Sequence, residues 1–363
     1  MKLIIEPDHG VAQLASAIKN AKESIEITIF RFDRNDIEEA LKAAAARGVK
    51  VTALVAYANR GGQKLLRKLE MHFLEAGMTV ARTADDLIRY HNKLMIVDRK
   101  ILFVLAFNFT HLDIARSRCF GISTENPRLV QETAKLFEAD CTRTPYTAGL
   151  PTLVVSPANS RKELGAFLRA AKKQLLIYDP EISDKEMLRI LKERTKEGVE
   201  VRIIGHAKNA DSFQVGELSK LRLHTRTIVR DGSQAFIGSQ SLRALELDQR
   251  REVGVIFNES RIVKSLIATF EGDWKGLRPA EPKVSDVDSP KTNREVESEK
   301  VAQVLIKELH PIAATVKKAV KKVVAKAGDE ALHDQKVKDT VKKVVKRAVK
   351  DAVKEVVREA KYA

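Results

Sequence analysis

The chain has 363 residues, 44% of them apolar, and a formal charge of +16 with a pI near 9.7. That is too long for one small domain and too apolar for a disordered chain, so two or three folded units are expected. The charge asks for an anionic partner, whether nucleic acid, an anionic membrane or a phosphorylated substrate, without choosing among them. Only Cys119 and Cys141 are present, in no CxxC or Cys/His cluster. A disulfide framework or zinc site is thereby excluded, and a reducing compartment fits.

In chain order, MKLIIEPDHG reads as a short strand and a turn, too quickly polar for a signal peptide. No apolar run reaches the length of a membrane span, so a cytoplasmic protein, soluble or peripheral to the membrane, is expected. Glu6-Pro7 precedes an amphipathic helix. From Ser24, SIEITIFRFDRNDIEEALKAAAARGVKVTALVA reads as strand, loop, helix, Gly-Val and a second strand. At an offset of 150, QLLIYDPEISDKEMLRILKERTKEGVEVRIIGH repeats it without a gap, placing Gly48-Val49 on Gly198-Val199 and Glu6-Pro7 on Ser156-Pro157. The repeat resumes at an offset of 133, where KLFEADC meets ATFEGDW and Asp140 meets Asp273. The first half therefore carries about 17 extra residues ahead of its histidine motif. Alternating strands and helices in each half predict an α/β fold with a parallel or mixed sheet. Two such halves predict a pseudo-twofold pair, 1–150 and 151–278, with a site at their junction.

At the same 133 offset HNKLMIVD, from His91, falls on HTRTIVRD, from His224. Residues two apart in a strand share a face. His91 therefore shares a face with Lys93, and His224 with Arg226. Asp98 and Asp231 follow at the strand ends, and the chain returns through ILFVLAFN and QAFIGSQS. Two facing hairpins would gather two imidazoles and two cations around one pocket. That set suits a phosphodiester: cations neutralise the non-bridging oxygens, one imidazole attacks phosphorus, and the other protonates the leaving oxygen. No metal or cofactor is required.

These motifs resemble those of the phospholipase D superfamily, whose pattern is HxKxxxxD followed by GSxN, and the resemblance covers roughly residues 1–278. His91, Lys93 and Asp98 complete the first motif; Asn108 is the one survivor of its GSxN. The second motif has His224 and Asp231, with Arg226 for the usual Lys and Ser239 and Ser241 in Gly-Ser-Gln-Ser. The resemblance implies catalytic roles for His91, His224, Lys93 and Arg226, with Asp98 and Asp231 either catalytic or only capping their hairpin turns, and with Lys93, Arg226, Asn108, Ser239 and Ser241 on the phosphate. It also implies a carboxylate bonded to each motif histidine. Glu252 fits that role for His224; the matching place for His91 is Cys119, with Asp113 a nearby substitute. On that pairing His224, its pKa raised by Glu252, is expected to be the acid, and His91 the nucleophile. Two motifs in one chain resemble the lipid enzymes, with bacterial cardiolipin synthase-like proteins the nearest. The resemblance thus implies a phospholipid phosphodiesterase or phosphatidyltransferase working as a monomer through a phosphohistidine. A nuclease, or a degenerate member that only binds membrane or nucleic acid, is the alternative.

Residues 279–300 are rich in Pro, Ser and charge and read as a linker. Over 301–363, 16 Lys and Arg stand against 8 Asp and Glu, with Val and Ala at helical spacing. A basic amphipathic helical tail is expected there, suited to an anionic membrane surface.

Overall fold

A computed structural model describes residues 1–57 and 63–279. The predicted basic tail and nearly all of the linker lie outside the described residues. The first half runs β1 (Lys2–Glu6), α1 (Ala12–Asn20), β2 (Ser24–Ile29), α2 (Asn35–Ala46) and β3 (Lys50–Val55). It continues through α3 (Gln63–Glu75), β4 (Thr79–Arg82), β5 (Arg89–Tyr90), β6 (Leu94–Val97) and β7 (Ile101–Leu105). It closes with α4 (His111–Arg116), β8 (Ser117–Thr124) and α5 (Pro127–Thr142). The second half repeats the order with β9 (Leu153–Ser156), α6 (Ser160–Arg169), β10 (Gln174–Ile182), α7 (Lys185–Lys196) and β11 (Glu200–Ala207). Then come β12 (Gln214–Glu217), β13 (Arg222–Leu223), β14 (Arg226–Arg230), β15 (Gln234–Gly238), α8 (Ala244–Asp248), β16 (Arg250–Phe257), α9 (Ser260–Lys275) and β17 (Arg278–Pro279). The extra residues of the first half are α3 and its flanks; a single 3-10 turn at Ala210–Ser212 takes that place in the second half.

Each half builds one mixed sheet. The first is ordered β1-β8-β7-β6-β2-β3-β4 and the second β17-β12-β11-β10-β14-β15-β16-β5, with β9 beside β16. Central strands such as SIEITI and QLLIYDPEI are apolar along most of their length because helices cover both faces. The repeated Gly-Val has a local cause. Gly48 and Gly198 follow α2 and α7 with φ of +90° and +86°, the left-handed turn that lets the chain leave a helix and enter the next strand.

The halves share a core. Leu94, Ile96, Phe120 and Phe137 of the first pack with Tyr178, Ile237, Val253 and Phe270 of the second. They also exchange strands. β5 pairs in parallel with β16 (Arg89↔Arg250, Tyr90↔Arg251), and β13 pairs in parallel with β8 (Arg222↔Ser117, Leu223↔Arg118). Reciprocal ion pairs lock the exchange. Arg118 donates to Asp273 at 2.8 and 3.0 Å, and Arg251 donates to Asp140 at 3.1 Å. Each arginine also caps a carbonyl of its neighbouring strand, Glu6 O at 3.0 Å and Ser156 O at 3.1 Å. The aspartates that mark the repeat in sequence are therefore its fasteners.

Arg251 and Asp140 are both buried, and burial pushes the Asp140 carboxyl up to about 6 even with Arg251 pulling it down. Removing one partner of such a pair leaves a charge without compensation, at a cost of about 3–5 kcal/mol. Arg251→Ala should lose stability of that size in urea titrations at pH 8. The loss should shrink at pH 5, where the stranded carboxyl can bind a proton instead.

Candidate active site at the junction of the halves

The strand exchange delivers both motif histidines to one place. His91 follows β5, and its N–H donates to Arg251 O at 2.8 Å. His224 follows β13, and its N–H donates to Arg118 O at 3.2 Å. Each imidazole thus hangs from a strand held by the opposite half. His91, Lys93, Arg226 and Glu252 are buried, and His224 is nearly so.

His91 is held at both ring nitrogens. Its Nδ1 lies 3.0 Å from each oxygen of Glu252, and Lys93 Nζ lies 2.9 Å from Nε2. Glu252 accepts at Nδ1 and Lys93 Nζ, charged or neutral, can donate to Nε2, so the ring proton belongs on Nδ1, donated to Glu252. Lys93 also donates to His91 O at 2.5 Å. Phe30 meets the imidazole edge-on, with ring centroids 4.6 Å apart, and Lys93 lies over the Phe30 ring.

This reverses the expected pairing. Glu252 serves His91, not His224. Cys119 faces His224, with Sγ 3.7 Å from Nδ1, and Asp113 Oδ2 lies 3.4 Å from the same nitrogen. The reason is the strand exchange: β16 pairs with β5 and β8 with β13, so each downstream position meets the other half's histidine. Sequence spacing cannot show which half a strand will join.

Burial first, then the charges of Lys93 and Arg226, holds the His91 pKa well below the usual histidine range; the same causes, with Arg226 ahead of Lys93, act on His224. The expectation that a neighbouring carboxylate raises His224 is therefore overturned. Burial also lowers Lys93 to about 7, against the opposing charge of Glu252, and raises the Glu252 carboxyl. His91 is among the charges felt by His224, so the two imidazoles share one electrostatic environment.

Residues 14–141 and 164–274 match the family described as cardiolipin synthase, PLD-like domain. The chain belongs to this family. It is a phospholipase D-type protein, of a superfamily of phosphatidyltransferase- and phosphodiesterase-type enzymes. It is 22% identical over 341 residues to a probable cardiolipin synthase of Bacillus subtilis, aligning 78% of this chain with 67% of that one. Two solved structures share the fold. Phosphatidylserine synthase of Haemophilus influenzae has a TM-score of 0.61 at 10% identity, over 85% of this chain and 94% of that one. Polyphosphate kinase of Porphyromonas gingivalis has a TM-score of 0.63 at 19% identity, over 76% of this chain and 47% of that one. The chain thus spans about two thirds of the Bacillus protein and about half of the kinase.

The remaining motif residues of this phospholipase D-type chain fall into two groups. Arg226 donates to His224 O at 2.6 Å and to Ser241 Oγ at 3.0 Å. Asn108 donates its side-chain amide to Asp113 at 2.7 Å. Ser239 Oγ bonds the backbone of Val253 and pulls the Glu252 pKa down. These residues converge on the histidines. Asp98 and Asp231 do not: they lie beyond the far ends of β6 and β14, away from the imidazoles. Each takes positive φ, 52° and 53°, and accepts three backbone N–H groups, from Lys22, Glu23 and Ser24 or from Lys172, Lys173 and Gln174. Burial raises these carboxyls, and the backbone donors more than reverse it, leaving both below the ordinary range. Their geometry is that of clamps, not of catalytic groups.

Sequence reasoning missed Phe30 and Glu246 and undervalued Asp113. Asp113 accepts the backbone N–H of Asn108 at 2.8 Å and pairs with Arg222; Glu246 accepts the N–H of Ser241 at 2.6 Å and pairs with Arg243 and Arg250. The signal was present, since both are acids five residues after the last motif position and match at the 133 offset. Phe30 carries no such mark.

The clamp reading sets an outcome for Asp98→Ala. A group whose folded pKa is depressed stabilises above its unfolded pKa, and that contribution fades as pH falls through the folded value. Three charge-assisted bonds to backbone predict a loss of about 2 kcal/mol at pH 7, shrinking toward acid. Chemical denaturation across pH checks it, and the folded variant should keep the turnover of the unmutated chain.

Proposed function

We propose that this chain breaks and remakes a phosphodiester bond of phospholipids, with His91 as nucleophile and His224 as acid and base. The observation that carries the reading is the line Glu252–His91–Lys93, which fixes the imidazole proton on Nδ1 and leaves the Nε2 lone pair for phosphorus. When substrate enters, its non-bridging oxygens replace Nε2 as the partner of Lys93 and take Arg226 and Asn108 as further donors, with Ser239 and Ser241 beside them. His91 Nε2 attacks phosphorus, the P–O bond to the leaving alcohol breaks, and His224 supplies the proton that the departing oxygen needs. In the second step the acceptor hydroxyl attacks the phosphohistidine. His224 takes its proton, and the P–N bond breaks to release His91. Water as acceptor gives hydrolysis and an alcohol gives transfer.

His224 must hold a proton at the start, which burial and the charges of Arg226, Lys93 and Arg222 oppose. A bound phosphodiester supplies the negative charge that offsets them. Substrate binding and loading of the acid are thus coupled.

A lipid substrate is supported by the surface as well as by the kinship to a cardiolipin synthase. Among the described residues, the exposed large apolar side chains Tyr57, Leu65, Met71, Leu74, Ile88 and Leu112 all lie in the first half. Most belong to α3 or its flanks, with exposed Lys64 and Lys68 alongside. Apolar groups among lysines suit an anionic bilayer surface. Among the described residues no helix is long and apolar enough to cross a membrane. Peripheral attachment at the cytoplasmic face, with residues 301–363 adding basic charge, completes the reading, and one chain carries both motifs without needing a second copy.

The test is incubation with labelled phosphatidylglycerol vesicles, with single-stranded DNA in parallel. The reading predicts phosphatidyl label in cardiolipin, or in phosphatidate if water is the acceptor, with no product from His91→Ala. DNA cleavage without lipid turnover would contradict it.

A further inference from the structure

The two halves differ at one pair of buried positions beside their histidines. In the second half Ser156 of β9 lies directly opposite Glu252 of β16, and Glu252 serves His91. In the first half Glu6 of β1 lies directly opposite Cys119 of β8, and Cys119 faces His224. The carboxyl side chain and the small side chain have exchanged strands. Side chains directly opposite in an antiparallel pair share a face, with Cβ atoms about 4.5–5.5 Å apart. Glu6 and Cys119 therefore share the face that His224 approaches, and the Glu6 charge acts on the Cys119 thiol. Glu6 is 0% exposed. Its Oε2 accepts the Gly10 N–H at 2.8 Å, while Oε1 is buried with no hydrogen-bond partner among the described residues. The Glu6 and Cys119 side chains together are the size of Glu252 and Ser156, so either order fills the same space.

We propose that Glu6 is the displaced carboxyl of the His224 side, a positioning residue that acts on His224 through the Cys119 thiol as Glu252 acts directly on His91. This rests on the role given to His224 above. Burial holds Glu6 up to about 8, with the Gly10 N–H and Arg34 pulling it down and Asp8 pushing it up. Burial also keeps Cys119 a thiol, whose S–H can donate toward the carboxyl. Arg118 caps the Glu6 carbonyl rather than its carboxyl. Around His224 stand Asp113, Arg222, Arg226, Lys93, His91 and Cys119. Asp113, 3.4 Å from His224 Nδ1, is shared with Asn108 and Arg222, and Glu6 is the second acid on this side of the imidazole.

The test uses the full chain and three variants. Glu6→Gln keeps the shape and removes the acid. Glu6→Ser removes the acid and its volume. Glu6→Ser/Cys119→Glu rebuilds the arrangement of the second half. Glu6→Gln should move the basic limb of the kcat profile to lower pH by about half a unit and shift the His224 imidazole titration by NMR, leaving His91 unmoved. Glu6→Ser should slow turnover about tenfold, and the double variant should recover most of it. A filler of space would give neither the pH shift nor the recovery. The proposal is overturned if Glu6→Gln leaves the His224 titration unchanged, or if the folded double variant stays as slow as Glu6→Ser. If the unmutated chain turns over no phosphodiester, the functional reading fails, and the NMR measurement alone decides the role of Glu6.

Discussion

Each motif histidine enters the site from a short strand that pairs with the sheet of the opposite half. β5 leaves the first half to lie along β16, and β13 leaves the second to lie along β8. Everything at the junction follows from that exchange. It turns two similar folds into one composite pocket, aligns the arginines of β8 and β16 with the aspartates of α9 and α5, and sends each downstream side chain to the other half's imidazole. A slip of one residue in either parallel pairing would turn the histidine away from its partner, because side chains alternate along a strand. The buried ion pairs help hold that register.

The electrostatics of the pocket favour an anion. Two imidazoles, Lys93, Arg226 and Glu252 are packed with little solvent. Burial and mutual repulsion push the imidazoles and Lys93 toward their neutral forms. In the proposed reaction a phosphodiester brings the charge that reverses this, favouring the lysine as cation and His224 as acid. On that proposal, the interactions of these buried cations strengthen as charge develops on phosphorus and the leaving oxygen.

Much of this was legible in the sequence. The 150 and 133 offsets gave the repeat, the α/β class and the two motifs, because strand and helix periods and turn glycines are local. The extra length before His91 was legible as an insertion, though not that it forms α3. What was not legible is which strand crosses to which sheet. Glu252 was therefore given to His224 and Cys119 to His91, and the structure reverses both. For Asp98 and Asp231 the motif position left chemistry and turn capping open, and the side chains bind the backbone at the start of β2 and β10. Phe30 was invisible because an aromatic at the end of a strand reads as core.

The central claim is that the pocket is crossed, with Glu252 of one half governing His91 of the other. The most direct measurement is the ring tautomer of each histidine by nitrogen NMR, in the unmutated chain and in Glu252→Gln. The account predicts a His91 proton fixed on Nδ1 that loses its preference in the variant, with His224 unchanged. A response at His224 with His91 unmoved would contradict it.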